Sequence, residues 1–307
     1  MKKLRFLLSL ITKNNDFQVE QAITAEAAAR ELGVELEIVY ADGDTITQST
    51  QILKNIQVHS ALQPSGILVE PAGGTGLPQV AKAAAAAGIA WSLLNREADY
   101  IGELRRTSKA PAFVVTSDHR ETGRIQARQL SALLPDGGVA LYITGPTESG
   151  TAKDRKEGFE GVRARNLQIT LLRGKWTEES SQRAVLAWLK LAVTNKLAVG
   201  AIVAQNDAMA MGARRAFEAL SDPQEKQRWL SLPFLGCDGL SKTGQAWVRN
   251  GLLAATVITP PMAGQALQLM VQALRSGGQV PERTVTSLES YPPLDKLSRR
   301  QPAVVKQ

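Results

Sequence analysis

Polar groups of one kind recur in this chain directly after short apolar runs. They fall in Lys13-Asn14-Asn15-Asp16-Phe17, Glu70-Pro71, Asn95-Arg96, residues 144–155 ending in Arg155, Lys175-Trp176, Gln205-Asn206-Asp207, Asp238-Gly239 and Thr259. Arginine supplies a rigid fork of donors, Asp and Asn accept or exchange hydrogen bonds with hydroxyls, and a flat aromatic covers the C–H face of a ring. Asn15, Phe17, Arg96, Arg155, Trp176, Asn206 and Asp238 therefore form an inventory suited to holding a polyhydroxylated ring. Taken singly, each is read as readily as a polar group capping the helix that follows it, and Asp207 stands where an N-cap belongs. The coincidence of seven such groups at the same kind of position favours a ligand site.

Covalent chemistry has less support. The only histidines are His59, inside a helical pattern, and His119, just after a strand, which suits a surface or interlobe role better than catalysis. Cys237 is the single cysteine, so no intrachain disulfide and no multi-cysteine metal site can form, and its place at the end of an apolar strand reads as core. There is no G-x-S-x-G elbow and no metal triad. Gly73-Gly74-Thr75-Gly76 matches neither the Walker loop nor G-x-G-x-x-G and reads as a βα turn rather than a phosphate cradle. The expectation is a non-enzyme with no cofactor and no metal.

The elements that must position these groups alternate almost throughout. Apolar runs predict strands over 5–12, 36–40, 66–70 and 89–94, separated by helices over 16–32, 47–61 and 77–87, with Asp16 as the first cap and Gly33 as the first stop. A polar, basic connection over 96–111 follows. A second series then opens with a strand over 113–116 and continues with strands over 139–143, 169–172, 199–204, 233–237 and 253–258. Its helices fall near 120–134, 151–165, 178–194, 207–220 and 241–249. After Thr259-Pro260-Pro261 a helix runs to 276, and the rest reads as a crossing strand with a surface extension. This order predicts an α/β protein of two Rossmann-like, doubly wound parallel-sheet lobes, with ligand chemistry at the carboxyl ends of the strands.

The totals agree with that picture. At 307 residues the chain accommodates two lobes, each with its own core, and 44% hydrophobic with 21% charged residues is ordinary soluble usage. Lys and Arg number 36 against 29 Asp and Glu, a formal charge of +7. The charge is scattered apart from Arg105-Arg106 and Arg299-Arg300, so a solvated basic surface is expected and no nucleic-acid partner. No apolar window approaches a membrane span. The opening MKKLRFLLSL lacks a small-residue cleavage site and reads as a strand, so that a leader is either removed or the protein is cytoplasmic.

With these residues in place, the chain resembles the periplasmic ribose-binding type of sugar-binding proteins (periplasmic binding protein type I), whose ligand domain also occurs in lac-repressor-type regulators. The resemblance rests on ITKNNDFQ at 11–18, LLNRE at 93–97, TAKDRKEGFEG at 151–161, AQNDAMAMGA at 204–213, FLGCDG at 234–239 and GLLAAT at 251–256. It implies ligand contacts from Asn15, Phe17, Asn95 and Arg96 in the first lobe and from Arg155, Trp176, Asn206 and Asp238 in the second, with Thr259 at the hinge. It further implies lobes of 1–116 plus 260–287 and 117–259 plus 288–307, a ligand cleft between them, and a three-strand hinge near 116–118, 259–260 and 286–288. Where ribose binders carry Asp-Arg this chain has Asn95-Arg96, where they carry a second aromatic it has Gln18, and where they carry a hinge Gln it has Thr259. These departures point to a ligand other than ribose.

The function so implied is capture of a small carbohydrate-like ligand, a sugar or polyol, by a monomer that delivers it to an ABC-type permease from the periplasm or cell surface. The alternative is a sensing module with a regulatory partner and no DNA-binding domain of its own; an enzyme is a distant third.

Overall fold

The computed structural model describes residues 3–74, 76–191 and 198–297. Thr75 of the glycine turn, the far end of the helix expected over 178–194, and Arg299-Arg300 with the end of the tail lie outside the described residues. The chain divides into two compact units, Met1–Ser117 with Pro261–Thr286 and Asp118–Pro260 with Ser287–Gln307, so it passes from one to the other after Ser117, Pro260 and Thr286.

The first unit opens with β1 (Arg5–Leu10), α1 (Asp16–Leu32), β2 (Glu35–Tyr40), α2 (Thr45–Gln57), β3 (Gly66–Val69) and α3 (Pro78–Ala86). It continues with β4 (Ala90–Leu94), α4 (Tyr100–Thr107) and β5 (Ala112–Ser117). The second contains α5 (His119–Leu133), β6 (Gly138–Thr144), α6 (Gly150–Val162), β7 (Leu167–Arg173), α7 (Glu178–Leu189), β8 (Val199–Ala204) and α8 (Asp207–Glu218). It continues with α9 (Pro223–Leu230), β9 (Phe234–Leu235), α10 (Gly244–Arg249) and β10 (Thr256–Ile258). The chain then returns to the first unit with α11 (Ala263–Ser276) and β11 (Arg283–Thr286), and ends in the second with β12 (Glu289–Tyr291).

The first sheet has the order β11-β5-β4-β3-β1-β2, every neighbouring pair parallel. Its winding reverses between β1 and β3. The second sheet, β7-β6-β8-β9, reverses in the same way between β6 and β8. At such a reversal the loops leaving the carboxyl ends diverge, and that crevice is where open α/β sheets take ligands. Strands β3, β4 and β5 are buried along their whole length, as parallel strands covered on both faces must be. Antiparallel β10 and β12 form a separate pair.

Local sequence explains most boundaries. Helix α1 begins where the extended Asn15 accepts from Phe17 N and Gln18 N, and it stops at Gly33, whose φ of 66° lies in the left-handed region. The cap is thus Asn15, and Asp16, expected in that role, is the first helical residue.

Three other expectations need correction. The connection expected over 96–111 contains helix α4, whose Ile101 and Leu104 join Trp91, Val114 and Val80 in the apolar core of the first unit. Arg105 ties this segment down through Nη1 to Ala112 O at 2.8 Å and Nη2 to Val280 O at 2.9 Å. The strand expected to open the second series is β5, and it pairs with β4 in the first sheet. Helix α9 was not anticipated. Asp222 caps it, Pro223 starts it, and Trp229 stacks on Phe217 with ring centroids 4.8 Å apart.

Close helix approach positions the second unit's polar groups. A Cβ on Gly123 of α5 would stand 1.9 Å from Arg155 O, and one on Gly158 of α6 would stand 1.9 Å from Arg120 O. Only glycine at both positions lets α5 meet α6 backbone to backbone, and that contact sets where Arg155 emerges.

Candidate functional site

In the first unit the candidate residues follow β1 and β4. Asn15 Oδ1 accepts from Phe17 N at 3.0 Å and Gln18 N at 3.3 Å, so the capping role considered for it is real. Phe17 is almost fully buried. Asn95 takes a positive φ of 59°, which Asn tolerates better than most residues, and its Nδ2 donates to Glu70 Oε1 at 2.9 Å. Arg96 Nη1 donates to Gly73 O at 3.0 Å, and burial pulls its pKa down against the opposing pull of Glu70.

Glu70 is the residue that sequence reasoning passed over, although it lies in one of the strand-end segments. It is 2% exposed. Gln21 Nε2 donates to its Oε2 at 3.2 Å, and Gln21 Oε1 accepts from Met262 N and Ala263 N, both at 2.8 Å. Gln18 joins the cluster with its carbonyl oxygen held by Ile11 N at 2.9 Å. Burial raises the Glu70 carboxyl, while hydrogen bonds from Asn95, Gln18 and Gln21 and the charge of Arg96 oppose the rise. Asn95 and Arg96 are therefore gathered around one internal carboxylate.

In the second unit Trp176, Asn206, Asp238 and Thr259 follow the carboxyl ends of β7, β8, β9 and β10, Arg155 comes from α6, the helix after β6, and the structure brings them together. Arg155 is 3% exposed, with Nη1 donating to Gln205 O and Nη2 3.8 Å from Asp238 Oδ1. Its guanidinium carbon lies 5.7 Å from the Trp176 ring centroid, within cation–π range. Arg155 Nε has no hydrogen-bond partner among the described residues. Trp176 has a φ of 66° and Asp238 a φ of 107°, conformations that bulky or branched side chains rarely hold unless the surroundings impose them. For Trp176 the cause is visible: Asn206 Nδ2 donates to Trp176 O at 3.0 Å, and bare Gly145 leaves room for the indole, which a Cβ there would meet at 2.2 Å.

Asn206 is also the N-cap of α8, its Oδ1 accepting from Met209 N at 2.9 Å. Asp207, expected to be that cap, is instead the first helical residue. It turns inward, accepting from Thr256 Oγ1 at 2.7 Å and Gly239 N at 2.8 Å. Burial, then the charge of Asp238, raises its pKa well above the ordinary value. Thr259 packs against the same loop, its N and Oγ1 donating to Asp238 O at 3.0 and 3.3 Å.

Of the remaining candidates, Gly73 of the glycine turn lends its carbonyl to Arg96, and the Cys237 carbonyl accepts from Asp207 N at 2.6 Å. Cys237 is fully buried in the core with its thiol pushed far up, and His119 begins α5 in a buried position. Among the described residues no group of three His, Cys, Asp or Glu side chains is placed to hold a metal, and no helix is long and apolar enough to cross a membrane.

Comparison with known proteins gives this arrangement a context. A family model for the periplasmic binding protein domain matches residues 6–279. The ribose import binding protein of Bacillus subtilis is 23% identical over 260 residues, spanning 85% of this chain and 77% of that protein. A galactofuranose binding protein superposes with a TM-score of 0.80 at 22% identity, covering 96% of this chain and 98% of its own. An ABC transporter periplasmic solute binding protein from Actinobacillus succinogenes, solved with D-allose, also gives 0.80 at 20% identity, covering 94% and 97%. The chain belongs to the periplasmic binding protein domain family, as a ribose-binding-protein-like member with the type I fold.

Proposed function

We propose that this protein is a solute-binding protein that takes a small carbohydrate-like ligand, a sugar or polyol, and delivers it unchanged to an ABC-type permease outside the cytoplasm. The observation that carries the reading is the state of Arg155. A guanidinium only 3% exposed, beside Asp238 and within cation–π distance of Trp176, gathers donors, an acceptor and an aromatic face in one place, the set that suits sugar hydroxyls and the C–H face of a ring. The names of the relatives support the ligand class, since they are described with ribose, galactofuranose and D-allose.

In this proposal Asn15, Phe17, Asn95 and Arg96 grip the ligand from one unit and Arg155, Trp176, Asn206 and Asp238 from the other. The three chain passages at Ser117, Pro260 and Thr286 act as the hinge, and Thr259 braces the Asp238 loop beside one of them. A ligand touched by both units favours the conformation in which both sets engage, and a permease reads that conformation. No step of covalent chemistry is involved.

A thermal-shift screen against pentoses, hexoses and polyols tests the reading. A ligand at about 100 times its dissociation constant stabilises the protein by about 2.7 kcal/mol, a clear rise in melting temperature. Failure of every neutral sugar and polyol to shift the transition contradicts the proposal.

A further inference from the structure

Gln205, the residue before Asn206, is not among the proposed ligand contacts, yet it is fully buried and all its polar atoms are engaged. Its N donates to Ile143 O at 3.0 Å, which ties the end of β8 to β6, and its carbonyl accepts from Arg155 Nη1. In the side chain, Oε1 accepts from Gly145 N at 2.8 Å, while Nε2 donates to Ala152 O at 2.9 Å and to the Tyr142 hydroxyl at 3.0 Å. Gly145 N can only donate and Ala152 O can only accept, so the amide is held one way round. A search for its purpose leads to the partners themselves, each of which supports a proposed ligand contact.

We propose that Gln205 is the positioning residue of the second unit's half of the site: its carboxamide locks the loop after β6 to the start of α6, and so fixes the Trp176 indole and the Arg155 guanidinium as one preformed wall. This deepens the solute-binding reading and rests on it. The reasoning is geometric. Gly145 is the seat of the indole, since a Cβ there would stand 2.2 Å from the ring. Ala152 precedes Arg155 by about one turn of α6, and Phe159 follows it by another. Phe159 stacks on the Tyr142 ring, with centroids 4.5 Å apart and 16° between the planes. The amide therefore reaches the helix on both sides of Arg155, directly through Ala152 and through Tyr142. Asn206, the next residue, holds the Trp176 carbonyl. A wall assembled before binding spares the ligand the cost of ordering it. Methionine at 205 would match the length without any of the three side-chain hydrogen bonds, and glutamate would keep the acceptor for Gly145 N but, ionised, lose both donors.

The test is calorimetric titration of a set of variants. The probe is whichever sugar or polyol shifts the melting of wild type most in a panel of pentoses, hexoses and polyols that includes D-ribose, D-allose, D-galactose and myo-inositol. Q205M and Q205E are expected to lose about tenfold or more in affinity. W229F, altered in the apolar core of the same unit, lowers the melting temperature and keeps affinity within about twofold, which separates positioning from general stability. Because Gln205 acts through Trp176, the double variant Q205M/W176A loses less than the product of the two single losses, by about threefold or more. Y142F removes one acceptor and leaves the ring stack in place, so it decides the question should the Gln205 variants fold poorly, with an expected loss of about threefold. Wild-type affinity in Q205M, in Q205E or, where those do not fold, in Y142F overturns the proposal, and so do multiplicative losses in Q205M/W176A or a loss in W229F that matches Q205M. Each of these outcomes leaves the solute-binding reading intact. Wild-type protein that binds no member of the panel overturns that reading, and this proposal with it.

Discussion

Asp207 Oδ2 accepts the backbone N–H of Gly239 at 2.8 Å, holding from below the loop whose preceding residue is Asp238. The loop is moulded closely to that carboxylate. A Cβ on Gly236 or Gly244 would stand 2.0 Å from one of its oxygens, so both positions must be glycine for the contact to form. Asp238 is thereby held at a φ of 107° within reach of Arg155. A helix-start residue that resembles an ordinary cap is in fact the clasp for a proposed ligand contact.

This clasp has a pH signature. Burial raises the Asp207 pKa above its ordinary 3.8, so between the two values the folded state retains a proton that the unfolded chain has released. Stability contributed by Asp207 therefore falls as pH rises through that window. Asparagine does not titrate, so the stability of wild type minus that of D207N is expected to shrink from about pH 4 upward in denaturant melts. A difference that grows with pH contradicts the assignment.

Gly145 lends itself to a more local test. Its bare Cα faces the Trp176 indole, and G145A forces the ring away from Arg155. The expected result is a loss of ligand affinity of about tenfold or more with the secondary structure retained, since only the ring's seat changes. Unaltered affinity would remove Trp176 from the site.

Cys237 is expected to be chemically silent. It is fully buried and its thiol is held far above the ordinary range by desolvation, so the nucleophilic thiolate is not populated. A maleimide reagent should label the protein only in denaturant. Rapid labelling of the folded protein indicates that the segment opens.

How far the sequence reaches can be judged on single residues. The span of helix α1 is legible because Gly33 stops an Ala-rich periodic run, although its cap is Asn15 where Asp16 was expected, and strands such as β8 stand out as unbroken apolar segments. Helix α4 is hidden because only Ile101 and Leu104 turn inward from a highly charged stretch, and α9 is hidden because Trp229 alone anchors it. Neither has enough apolar positions to show a period. The exchange of roles between Asn206 and Asp207 turns on one backbone angle: the extended Asn206, at φ −149° and ψ 166°, becomes the cap and sends Asp207 inward. Spacing does not distinguish the two. Glu70 escaped for a different reason. Its meaning depends on Gln21, 49 residues away, and Asn95, 25 residues away, and contacts of that range carry no local signal.

The central claim is that Arg155 closes a polar site on a neutral sugar or polyol, and calorimetric titration of wild type and R155A with the ligand found by thermal shift tests it most directly. Wild type is expected to bind one ligand per chain, and R155A to lose about 30-fold or more in affinity, because the variant lacks both the positive charge beside Asp238 and the donor to the carbonyl of Gln205. Equal affinity in the two proteins would contradict the account.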